Sequence, residues 1–281
     1  MAEVAIVKGT YPVEVTVKAL GMIDVDEVLS EEKPVLIKPN YINANHPSTG
    51  ITTDSRVIEG VVKFLKNRGV KDVLIGEGSG FGDTFKAFRV AGVDKVAKRW
   101  NVGLINLNKD DFVEVSPPNP LALKRAKIAK TVLESTIISV PKLKLHRMTE
   151  VTLSIKNMMG AVTPKGSMHT SLNEKIADLA STIKPSIAVV DGIIASEGHE
   201  TSGNSLEMNL VIAGTDPVAV DAVGAAVMGV SPKNVKHLRL AEKKGIGTCD
   251  LERIKIVGEP IERVRKKFRR SLSSRVLRYL A

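Results

Sequence analysis

Short apolar runs alternate with stretches of helical periodicity along most of this chain, and that alternation constrains the fold more than any other feature. Residues 4–7, 34–38 (PVLIK), 73–75, 103–107, 136–140, 187–190, 210–213 and 254–257 read as strands. Several are followed by amphipathic stretches. After residue 54, for example, Val57, Val61, Val62, Phe64 and Leu65 fall largely on one side of a helix that 67–69 (NRG) ends. Thr53 or Asp54 can cap that helix, because a side-chain oxygen there accepts from its free N–H groups. Further helices are expected at 84–90, within 149–156, at 172–182 and at 217–228, where Pro217 suits a first turn. Strands separated by helices predict an α/β fold, with a mainly parallel sheet covered by helices on both faces. At 281 residues the chain makes one large domain or two smaller lobes.

Ligands of such sheets sit beyond the carboxyl ends of the strands. Here polar and glycine clusters follow strands at 38–45, 77–82, 142–146, 191–197 and 214–216. The loop 76–82 (GEGSGFG) could cradle an anion on the backbone of Gly78, Ser79 and Gly80. It is not a dinucleotide fingerprint, because Phe81 stands where the last glycine is needed, nor does it have the order of a P-loop. Glu77 in that loop could meet a metal or a substrate hydroxyl. The segment 141–160 (PKLKLHRMTEVTLSIKNMMG) gathers Lys142, Lys144, His146, Lys156 and Asn157. Lysines there, with Lys38 and Asn40, suit an anionic ligand. A cation beside the apolar run 158–162 needs a partner. His146 and His169 are acid–base candidates, His being the side chain that exchanges protons near neutral pH. Asp191 and Glu197 are candidate ligands for a divalent metal. Asp216 reads as the cap of the helix at Pro217, and Asp221 is a further carboxylate. His46, His199 and His237 carry no argument.

Composition removes several classes of function. No run approaches about 18 uninterrupted apolar residues, so no membrane span is expected, and no export signal is legible at the N-terminus. A cytoplasmic location follows as the expectation. Cys249 is the single cysteine, which excludes a disulfide framework and an iron–sulfur cluster held by this chain alone. Glutamine is absent while Lys, Glu, Val and Ile are abundant, a pattern that thermophilic proteins share. The formal net charge is +10, and it concentrates in residues 259–281, where eight Lys or Arg face Glu259 and Glu262. In that tail Ile261, Val264, Phe268, Leu272, Val276 and Leu280 recur at steps of three and four. The spacing predicts a basic amphipathic C-terminal helix behind a 1–258 domain. Such a helix docks on its own domain, or binds an anionic membrane or nucleic acid. The low aromatic content, 4%, speaks against base stacking on single strands.

Ten segments in order resemble one family. They are KPNYI (38–42), TTD (52–54), IGEGSG (75–80), PKLKLH (141–146), SIKNMMG (154–160), His169, IADLA (176–180), VVDGI (189–193), SEG (196–198) and AGTDPVAVDAVGA (213–225). Together they look like the family known as domain of unknown function 362, over roughly residues 3–258. Some members carry ferredoxin-type iron–sulfur modules, which this chain cannot form. After the SEG segment the family continues in Gly and Pro, whereas His199, Glu200, Thr201, Ser202 and Gly203 stand here. The resemblance implies a shared domain and a shared site, and it implies no reaction.

Two functions remain in view. One is an enzyme that binds a small anionic metabolite in a strand-end cleft, with a divalent metal as a candidate cofactor. The other is a binding protein that uses the basic tail.

Overall fold

The computed structural model describes residues 1–30 and 33–271. Thirteen strands are described: β1 Ala2–Lys8, β2 Val35–Pro39, β3 Val73–Glu77, β4 Gly103–Asn106, β5 Phe112–Val115, β6 Ala126–Ala129, β7 Thr136–Val140, β8 Lys142–His146, β9 Glu150–Val151, β10 Val162–Thr163, β11 Ile187–Glu197, β12 Asn204–Gly214 and β13 Ile254–Gly258. Ten of them form one sheet with the order β13-β1-β12-β11-β7-β2-β3-β4, and β8 and β9 extend it beside β11. Most neighbours are parallel. The exceptions are β12, antiparallel to β1 and β11, and β9, antiparallel to β8. A small antiparallel sheet, β10-β6-β5, stands apart.

Successive side chains of a strand point to opposite faces, and here each face has its own core. Val4 and Ile6 of β1 enter one, Ala5 and Val7 the other. Helices Pro12–Gly21, Ser55–Asn67, Thr84–Ala91 and Val93–Trp100 supply apolar residues to the second core. Helices Leu172–Ala180, Pro217–Val227 and Lys236–Lys243 supply the first. The expected sheet with helices on both faces is therefore present. Asp54 caps helix Ser55–Asn67 by accepting from Arg56 N at 2.9 Å, and Asp216 caps Pro217–Val227 by accepting from Val218 N and Ala219 N.

Three expectations give way, two about loops and one about a helix. Residues 191–197 are not a loop after a strand, because β11 continues to Glu197 in an antiparallel pair with β12 that runs from Ala188↔Gly214 to Glu197↔Asn204. Polar residues break the apolar pattern there, while backbone pairing does not depend on it. Likewise 142–146 is strand β8, alongside β11 with Asp191↔Lys142 and Ser196↔Lys144. The long basic helix also differs. After the short helix Ile261–Val264 the backbone turns extended at Arg265. Lys266 N then donates to Val227 O and Phe268 N to Met228 O. Val264 and Phe268 are buried in the core beside Met228 and Val230. Gly229, at φ +75°, lets the segment lie close, since a Cβ there would stand 3.0 Å from Lys267 Cα. Arg270 pairs with Glu150. Residues 272–281, with Leu272, Val276 and Leu280, lie outside the described residues. No helix among the described residues is long and apolar enough to cross a membrane.

Candidate functional site

Strands β2, β3 and β8 deliver Lys38, Glu77 and His146 at or near their carboxyl ends, and a cavity of about 500 Å³ opens there. Its wall also includes Asn40, Gly78, Gly80, Lys156, Asn157, Lys165, His169 and Glu200.

Lys38 forms the floor. Its Nζ donates to Glu77 Oε1 at 2.7 Å, Pro39 O at 3.1 Å and Asn157 Oδ1 at 3.2 Å. Burial pushes the Lys38 pKa down, and Glu77 opposes that push. Glu77 also accepts from Gly78 N and Tyr41 N, so the carboxylate is held on every side. Asn157 Nδ2 donates to Lys38 O and Ser139 Oγ. The glycine loop is engaged too: Gly78 N donates to Glu77, Ser79 N to Thr84 Oγ1 and Phe81 N to Ile42 O. It is a tight strand-to-helix turn whose N–H groups mostly bond inward, unlike the expected anion cradle.

Lys156 is different. It sits in the short helix Leu153–Asn157, whose first residue Leu153 has φ 52° and which is fixed by Asp221 accepting from Ser154 N and Ile155 N. Its ammonium has no hydrogen bond or ion pair to any described residue, and it stays partly exposed on the cavity wall. Burial lowers its pKa to about 8, opposed by the nearby Glu200 carboxylate. Lys165 donates to Gly160 O at 2.7 Å and also has its pKa pushed down to about 8, chiefly by burial. Thr152 Oγ1, also on the wall, is buried without a hydrogen-bond partner among the described residues.

Glu200 is the second carboxylate. Arg147 Nε lies 3.1 Å from it, His146 Nε2 3.9 Å and His199 Nε2 3.8 Å. Burial, together with Lys156 and Lys144, drives the His146 pKa far down, so its ring is neutral, with Nδ1 accepting from Met148 N. That removes the near-neutral proton exchange expected of His146 from its residue type. His169 stands exposed at the cavity.

The remaining candidates lie elsewhere. Lys144 is buried behind the wall, donating to Ile51 O and Glu200 O, and burial lowers its pKa to about 7. Ser79 packs beside the cavity with its hydroxyl buried and unpartnered among the described residues. Asp191 and Glu197 do not come together as a metal pair. They are six residues apart on one strand, roughly 20 Å at about 3.3 Å per residue. Asp191 is locked by Lys142 at 2.8 Å and by Asp54 N, while Glu197 accepts from Arg269 N. Among the described residues no group of three or more His, Cys, Asp or Glu is placed to hold a metal ion. Sequence reasoning passed over Arg147, Lys165 and Glu200. The break from the family pattern after Gly198 is the one signal that could have drawn attention to Glu200.

The model of the family described as Domain of unknown function (DUF362) matches residues 35–226, which include every residue that lines this cavity. The Thylakoid-associated protein sll1697 of Synechocystis sp. is 23% identical over 229 residues, covering 78% of this chain and 70% of that protein.

Proposed function

The chain belongs to the DUF362 family, and from its cavity we propose that it binds a small metabolite through a phosphate or carboxylate group. One observation carries the reading: Lys156 presents on the cavity wall an ammonium that has no hydrogen-bonding partner among the described residues. A cation so placed gains most from a charged acceptor, because charge-assisted hydrogen bonds strengthen as water is excluded. Lys165 adds a second cation, and Thr152 Oγ1 an unused donor. Lys38, Glu77 and Asn157 shape the floor and have little capacity left for direct contact.

As an enzyme, the protein would draw its proton transfer from Lys156 or His169, with His146 acting as a neutral Nε2–H donor. The tail reading has less support, since residues up to Arg270 engage the body of the protein.

Calorimetry and thermal shift with inorganic phosphate, sulfate and acetate test the proposal. Wild type should bind and be stabilised by at least one of them, as a ligand that binds only the native state must do. Lys156→Met should lose most of that response without losing its fold. An equal response in the variant would remove Lys156 from the site.

A further inference from the structure

Beyond the cations, the same cavity has a second chemistry. Phe81 and Met148 line it while remaining 67% and 46% exposed. Single exposed apolar side chains are ordinary on protein surfaces. Here two of the largest stand at one opening, and Ile42, Met159 and Leu172 continue the apolar wall inward. Neither loop is loosely placed: Phe81 N donates to Ile42 O at 2.9 Å and Met148 N to His146 Nδ1 at 3.2 Å. A cavity of about 500 Å³ also far exceeds what an inorganic anion of five heavy atoms fills, a water molecule occupying about 30 Å³ in the liquid.

We infer that the ligand is an amphiphilic anion, whose charged head reaches Lys156 and whose apolar group lies along Ile42 and Met159 and leaves between Phe81 and Met148. This inference rests on the anion-site reading and names the class of molecule that the site would take. An apolar chain placed there removes Phe81 and Met148 from water, and each buried methylene favours binding. A purely hydrophilic sugar or amino-acid phosphate would leave that rim wet.

The test compares inorganic phosphate, hexyl phosphate and hexyltrimethylammonium by calorimetry, on wild type and on the Phe81→Ala/Met148→Ala double variant. Both side chains are exposed, so the double variant retains its fold, which its melting curve verifies. Wild type should bind hexyl phosphate at least tenfold tighter than inorganic phosphate, and should not bind the cation of equal chain length. The double variant should keep its affinity for inorganic phosphate and lose the preference for the alkyl chain. Phosphate binding with no gain from the hexyl group would overturn this inference and leave the anion site standing. A preference that survives in the double variant would also overturn it, since the chain would then lie elsewhere. Binding of neither anion would overturn this inference, and the anion-site reading would fall with it if sulfate and acetate also left the protein unchanged.

Discussion

Lys38 Nζ stands 2.7 Å from Glu77 Oε1 across two adjacent parallel strands, with both side chains almost wholly buried. The pair joins the ends of β2 and β3 beneath the cavity. Removing one partner of a buried pair strands the other charge, which costs about 3–5 kcal/mol. Lys38→Met should therefore lose about that much in urea unfolding, and Lys38→Met/Glu77→Gln should recover part of it. A single variant as stable as wild type would show that the pair does not hold the floor.

Gly160 packs on this pair, where an added Cβ would lie 2.7 Å from Lys38 Nζ and 2.9 Å from its Cε. A lysine tip usually yields, but this one is held by three acceptors. Gly160→Ala should cost about 1–3 kcal/mol by overpacking and weaken anion binding as the floor shifts. Gly166, also on the cavity, has nothing within 4 Å of such a Cβ, so Gly166→Ala should change neither quantity measurably. Indistinguishable stability and affinity in the two variants would refute the contact argument.

The pH dependence of the site follows from Lys156, whose pKa of about 8 lies below its ordinary value of 10.5. Between these values the native protein binds fewer protons than the unfolded chain, so the Lys156 contribution makes stability rise with pH. Lys156→Met should lack that part of the rise. Anion affinity should move the other way, falling about tenfold per pH unit well above pH 8, as the ammonium deprotonates. Affinity that is flat from pH 7 to 10 would mean that Lys156 carries no proton into the complex.

Phe268 anchors the tail. Only 5% exposed, it packs in the core cluster that contains Met228 and Val230. Phe268→Ala should destabilise by about 3 kcal/mol, the lower end of what aromatic truncation costs in a core. Denaturant unfolding measures this directly. A loss under about 0.5 kcal/mol, the range of ordinary surface changes, would mean the tail is not part of the domain.

How much of this was legible in sequence depends on the range of the interaction. Strand cores such as 136–140, the Asp54 cap, the Asp216 cap and the helix from Pro217 depend on neighbours within a few residues, and local patterning determined them. The clustering of Lys38, Glu77 and His146 also followed, because strand ends in a parallel sheet share an edge, and Lys156 and Asn157 join them from the helix Leu153–Asn157. The identity of the available cation did not. Lys38, Lys142, Lys144 and Lys156 are alike in residue type, although the first three lie in strands and Lys156 in the helix Leu153–Asn157. Tertiary structure brings Glu77 to Lys38, Asp191 to Lys142, and the carbonyls of Ile51 and Glu200 to Lys144, and it leaves Lys156 facing the cavity. The partners are contributed by segments 39 to 93 residues away in the chain. Charge and burial together select a buried lysine's partner, and burial is a property of the packed molecule that no local window of sequence contains.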